Sequence, residues 1–186
     1  LGPALAAGNT VIVKPPEWAP LTSSLLADCA HAAGLPPGVF NIVQGSGANT
    51  GAKLVSDPRL ARVSFTGSVP TAKWIAQAAG ANLVPCSLEL GGKSPFIVLE
   101  DADIDNAAAT GALMYRNAGQ VCLAGTRFLV HTKVRDAFVA AMRGYVEKLN
   151  IGDPRDEVVE IGPILYPRQV GGVMGFVVRS IAVGAE

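Results

Sequence analysis

Short apolar runs rich in branched side chains alternate along this chain with longer, alanine-rich stretches whose apolar positions recur every three or four residues. The runs Thr10 to Val13, Val39 to Val43, Arg62 to Phe65, Val84 to Leu88, Phe96 to Leu99 and Arg127 to His131 have the length and content of strands. The stretches Leu21 to Ala33, Thr50 to Ser56, Thr71 to Ala79, Ile104 to Asn117 and Arg135 to Lys148 have the helical period. A further helix is expected over Gly171 to Ala182 with Gly184 as its stop, and Leu1 to Gly8 reads as the tail of a helix. Strands that alternate with crossover helices build a parallel sheet, so the expected class is α/β. The doublet Gly91 and Gly92 lies between a strand and Pro95, where the chain can pass from one domain to the next. The expected division is therefore 1–91 and 92–186.

Bulk properties narrow the function. The chain has 186 residues, 49% of them hydrophobic, which suffices for one good core and falls short of a usual two-domain enzyme. Neither end has the pattern of a natural terminus, so a piece of a longer protein is expected. Lys plus Arg number 15 and so do Asp plus Glu, which argues against a nucleic-acid or anionic-membrane partner. No apolar run reaches the roughly 18 residues of a membrane span, and a cytoplasmic protein is expected. Cys29, Cys86 and Cys122 are too few and too widely spaced for a disulfide framework or a metal knuckle, which fits a reducing compartment.

In an open parallel sheet, ligands bind beyond the carboxyl ends of the strands, so the loops there are read first. After the first strand, Lys14-Pro15-Pro16-Glu17 holds an amine and a carboxylate on extended backbone. A carboxylate can accept from both hydroxyls of a ribose; an exposed ion pair explains the same letters equally well. After the second strand comes GSGANTG, with Gly45, Gly47 and Gly51. Its spacing departs from the G-x-G-x-x-G fingerprint by one residue. Close backbone approach and the amides of the following helix suit an anion, and so does a plain turn. After the third strand, Phe65-Thr66-Gly67-Ser68 places a turn and a hydroxyl at a helix start, where Ser68 either meets a pyrophosphate or caps the helix.

Cys122 lies in Asn117-Ala118-Gly119-Gln120-Val121-Cys122-Leu123-Ala124-Gly125, a loop of small residues that gives a substrate access to sulfur. A thiol needs amides, a cofactor charge or a base to act as nucleophile, and cysteine in general is more often packing. Cys29 in a helix and Cys86 in a strand read as structural. The two histidines, His31 and His131, are badly placed to serve as base. Glu89, between Leu88 and Leu90 at a strand end, is the better candidate, with partial desolvation expected to raise its pKa. An edge-strand acid facing water is the plain alternative. Asp101, Asp103 and Asp105 imitate the start of a calcium loop, but Asn106 stands where that loop needs glycine and Ala112 where it needs glutamate. They are read as a helix cap and dipole partners.

The segments GPALAAGNTVIVKPPE, FTGS, LELGGKSP and GQVCLAG, in this order and at these separations, resemble the aldehyde dehydrogenase family. The likeness covers nearly the whole chain, including Gly34 to Val39 and Ile151 to Pro154. It implies a Rossmann-like, parallel-sheet cofactor domain portion joined to part of an α/β catalytic domain. It also implies an NAD enzyme, NADP remaining possible, that oxidises an aldehyde to an acid as a homo-oligomer. On the same likeness Lys14 and Glu17 hold the adenosine ribose, and Gly47, Gly51 and Ser68 line the pyrophosphate. Phe65, Thr66, Gly67 and Leu90 complete the cofactor contacts, Glu89 is the base and Cys122 the nucleophile. A thiohemiacetal forms on Cys122, held by its own backbone amide, and the ensuing thioester is hydrolysed.

Three departures stand out. The family's second oxyanion donor, an asparagine, and its nicotinamide-ribose glutamate fall outside residues 1–186. Since one such donor is worth about 10²–10³ in rate, the chain alone is expected to be weakly active or inactive. After Ser68, Val69-Pro70-Thr71-Ala72 lacks the family's usual acidic residue and glycine. The wording around Lys14 and Trp18 leans towards semialdehyde oxidation in aromatic breakdown, and Glu17 towards NAD. The alternatives are a coenzyme A-acylating relative and a truncated, non-catalytic nucleotide-binding module.

Overall fold

The computed structural model describes residues 1–185. They divide into two compact units, Leu1–Glu89 and Leu90–Glu186, so the break falls two residues before Gly91.

The first unit runs α1 (Gly2–Ala6), β1 (Val11–Val13), α2 (Leu21–Ala32), β2 (Phe40–Ile42), α3 (Ala52–Val55), β3 (Val63–Gly67), α4 (Val69–Ala81) and β4 (Cys86–Leu90). β1 and β2 pair in parallel, Val11 opposite Phe40 and Val13 opposite Ile42, with α2 as the crossover. β3 pairs with β4. The core is made by Val63, Ile75 and Ala79, against which Val55, Leu60, Phe65, Val84 and Cys86 pack. The alanine-rich sequence of α4 lets the helix lie close, since Ala72 and Ala79 are fully or nearly fully buried. α4 ends on a left-handed non-glycine residue, Leu83 at φ 56°, whose side chain is 92% exposed.

The second unit runs β5 (Ser94–Val98), α5 (Ile104–Ala112), β6 (Gly125–Val130), α6 (Arg135–Val146) and α7 (Pro167–Ala182). β5 and β6 are parallel, and their register slips between Ser94 and Pro95. Proline has no N–H for the ladder, which is why the irregularity sits there. Phe96, Phe128 and Phe138 form the centre, with ring centroids 5.3, 6.5 and 5.5 Å apart. Phe138 and Val98 are the largest fully buried side chains, each stabilising the fold by about 1.5–3 kcal/mol. Gly111 and Gly125 let helix and strand approach: a Cβ at either would stand 3.0 Å from the ring atoms of Phe128 or Phe96. α7 starts earlier than expected because Pro167 fits the first turn, and Gly184, at φ 91°, ends it.

Every expected strand and helix is present, in order, which establishes the α/β class. Three details differ. The strands form three separate pairs in place of one sheet. The helix expected over Thr50 to Ser56 is α-helical only over Ala52–Val55, its first two residues belonging to a π-helical turn, Gly47–Gly51. The helix expected to reach Asn117 stops at Ala112 and continues as a 3-10 segment, because Asn117 and Ala118 adopt left-handed backbone. Among the described residues, no helix is long and apolar enough to cross a membrane.

Candidate active site

In the first unit the ends of β1 and β2 meet. Pro15 is buried and Pro16 continues the extended path, which projects Lys14 and Glu17 toward the loop after β2. Lys14 Nζ donates to the Gly45 carbonyl at 3.1 Å, and Glu17 Oε1 accepts the Gly47 N–H. These residues therefore clamp the loop and form no ion pair with each other. Glycine at 51 leaves room for the lysine stem, whose Cδ lies 3.4 Å from where a Cβ would stand. Gly45 is obligatory: φ is +133° and a Cβ would sit 2.0 Å from Thr50 Oγ1. Ser46 finishes the loop, its hydroxyl accepting from Asn49 N at 3.1 Å and its carbonyl from Gly51 N at 3.1 Å. The loop borders an open groove of about 600 Å³, lined among others by Glu17, Leu21, Ser24, Gln44 and Ser46. Of the amides expected to await an anion at this helix start, those of Gly47, Asn49 and Gly51 are thus already bonded within the chain.

At the end of β3, Phe65 folds its ring over Gly67, so closely that a Cβ at 67 would lie 2.5 Å from it. Thr66, Gly67 and Ser68 are exposed. Ser68 caps α4, accepting from Thr71 N at 3.4 Å, with its oxygen 2.9 Å from Thr71 Oγ1. Glu89 is exposed on β4 between half-buried Leu88 and Leu90, so the desolvation expected around its carboxylate is absent from its surroundings in this unit. Alternation along the strand turns the two leucines inward and the acid outward.

In the second unit Cys122 is exposed at the tip of a turn, closed by Ala124 N donating to Val121 O at 3.2 Å. A trans peptide points its C=O and N–H in opposite directions, so this bond aims the Cys122 N–H away from the turn. That amide has no acceptor among the described residues. Just upstream Asn117, Ala118 and Gly119 have φ of 53°, 54° and 74°. Sequence reasoning missed this run. Its signal was the asparagine and glycine, the two residue types that most readily accept such backbone.

Other assignments are settled locally. Cys29, expected to be packing, is exposed; all three cysteines are free. Asp103 caps α5, accepting from Asn106 N at 3.1 Å, and Asp105 accepts from Tyr145 OH at 2.9 Å. That bond holds the Tyr145 phenol above its ordinary pKa. Beside Arg59, the Asp57 carboxyl is lowered to about 2. Among the described residues no group of three or more His, Cys, Asp or Glu side chains could hold a metal ion.

The family model described as "Aldehyde dehydrogenase family" matches residues 1–186. The chain belongs to that family. It is 43% identical over its whole length to a putative aldehyde dehydrogenase of Staphylococcus aureus, of which it covers 39%. It is 47% identical, over 98% of its length, to betaine aldehyde dehydrogenase 2 of Rhizobium meliloti, of which it covers 38%. Aldehyde dehydrogenase C of Pseudomonas syringae, solved with NAD+ and octanal, superposes with a TM-score of 0.93 at 40% identity, over 99% of this chain and 38% of that one. An NADP-dependent enzyme of E. coli superposes at 0.94 with 41% identity, over 100% and 39%. This family member thus spans somewhat under two fifths of the length of the relatives it matches.

Proposed function

We propose that the protein containing this chain oxidises an aldehyde or semialdehyde to a carboxylic acid with NAD, Cys122 being the nucleophile and Glu89 the base. The observation that carries the reading is the exposed thiol of Cys122 beside its own unpaired backbone N–H, in a member of the aldehyde dehydrogenase family.

The donor set of the first unit fits a dinucleotide. Glu17 and Lys14 offer a carboxylate and an ammonium at the edge of an open groove, and glycines at 47 and 51 keep side chains out of their way. They hold the adenosine ribose, while Gly47, Gly51 and Ser68 face the pyrophosphate and Phe65, Thr66, Gly67 and Leu90 complete the contacts. Glu17 favours NAD because its charge repels a 2′-phosphate. When bound, the nicotinamide accepts the hydride that turns the thiohemiacetal into a thioester.

The residues of the chain do the rest. Cys122 Sγ bonds to the aldehyde carbon, and the carbonyl oxygen, now an oxyanion, takes the Cys122 N–H as donor. At the thioester stage Glu89 removes a proton from water, the resulting hydroxide bonds to the acyl carbon, and the C–S bond breaks to return the thiolate and release the acid. Balanced surface charge and three free cysteines support a cytoplasmic enzyme acting on a small molecule. A homo-oligomer, without nucleic-acid or membrane partners, is the assembly proposed for it.

Incubation with octanal and NAD, followed by peptide mass mapping, tests the nucleophile. An acyl adduct is expected on Cys122, and Cys122→Ala should abolish it while leaving NAD affinity unchanged. An adduct confined to Cys29, or turnover surviving in the alanine variant, overturns the assignment.

A further inference from the structure

The segment before Cys122 is built as a clasp. Asn117 Nδ2 donates to the Gln120 carbonyl at 3.1 Å, and Gln120 Nε2 donates back to the Asn117 carbonyl at 3.1 Å. The Gln120 backbone N–H adds a third bond to the same Asn117 oxygen, also 3.1 Å. A carbonyl has two lone pairs and accommodates both donors. Between these ends lies the left-handed run, in which alanine occupies a conformation that its Cβ disfavours. The arrangement is exposed, so it is stabilised against competing water only weakly. Its effect is on direction. Tying the Gln120 carbonyl fixes the plane of the peptide before Val121, and the Val121 to Ala124 bond fixes the next plane. Two consecutive planes held from outside leave the Cys122 N–H and the Cα–Cβ bond little freedom.

We propose that Asn117 and Gln120 are positioning residues, whose reciprocal hydrogen bonds aim the Cys122 amide and thiol together at one carbonyl group. The proposal rests on the reading of Cys122 as nucleophile. Neither residue touches substrate; both act through the orientation of the turn. Ordinary thiol chemistry needs only exposure, which Cys122 has without them, whereas holding an aldehyde as the thiohemiacetal also needs the amide in line.

The test uses the 186-residue chain, with octanal as probe and iodoacetamide labelling read by peptide mass mapping, Cys29 serving as the internal reference. Octanal is expected to slow labelling of Cys122 saturably and leave Cys29 unaffected. In Asn117→Asp and Gln120→Glu, each of which replaces an amide donor by a carboxylate, half-protection should need at least about tenfold more octanal, as for loss of an oxyanion donor. Labelling without octanal, and the melting temperature, should stay near wild type. Unchanged protection in both variants overturns the clasp and leaves the nucleophile standing. No protection in the wild-type chain overturns the nucleophile, and the clasp with it. If Asn117→Asp fails to fold, Gln120→Glu, which leaves the left-handed residues in place, decides.

Discussion

In the loop from Gly45 to Gly51 the amides of Gly47, Asn49 and Gly51 all have acceptors, whereas in the turn from Val121 to Ala124 the amide of Cys122 has none among the described residues. The first loop is closed both by its own Ser46 and by side chains that arrive from elsewhere in the unit, Glu17 and Lys14. The second is held by two residues of its own segment, at the cost of left-handed backbone at Asn117 and Ala118. The difference teaches where preparation for chemistry is placed. A loop whose amides are bonded can take a ligand only by exchanging partners, whereas an amide left without an acceptor is free to donate to a group from outside the chain.

That contrast can be broken from its foundations. The turn at Cys122 leads into Gly125, which packs on Phe96, and Phe96 in turn packs with Phe128 and Phe138. Phe138→Ala should therefore have the largest effect, a loss of about 3–5 kcal/mol in urea unfolding of the second unit. A loss under about 1 kcal/mol would show that the aromatic trio is not what supports the turn.

The closed loop is attacked most directly at Gly45. Gly45→Ala places a Cβ against Thr50 Oγ1 on backbone that disfavours it, and about 1–3 kcal/mol of strain is expected from thermal unfolding. Hydrogen exchange at the Gly47 amide should accelerate in the same variant. If it does not, Glu17 holds that amide independently of the loop's shape.

The smallest change sharpens the comparison. Ala118→Gly and Leu83→Gly each relieve a left-handed non-glycine residue, one in the segment before Cys122 and one at the end of α4. Both should gain about 0.5–1 kcal/mol in chemical denaturation, the relief being partly offset by a freer unfolded chain. A loss at position 118 alone would show that the alanine methyl is packed and not merely tolerated.

Much of this was readable in advance because it depends on local pattern. Strand and helix order follow from branched and alanine-rich periods, Gly184 from its place after a periodic stretch, and Asp103 from its place before one. What was not readable depends on partners distant in the chain or on backbone angles. No pattern near Glu17 says that Gly47, 30 residues on, will supply its hydrogen bond. The desolvation expected of Glu89 failed because strand alternation turns that side chain outward. The helix through Asn117 was overextended because Leu113 to Arg116 have helical composition, whereas the backbone turns extended at Arg116 and left-handed at Asn117 and Ala118.

The bonding of Lys14 and Glu17 has a calorimetric consequence. A molecule that enters between them meets groups that already have partners, so each contact it makes is an exchange of one hydrogen bond for another. The heat released there should be small, and the heat-capacity change modest unless apolar surface such as Leu21 is covered as well.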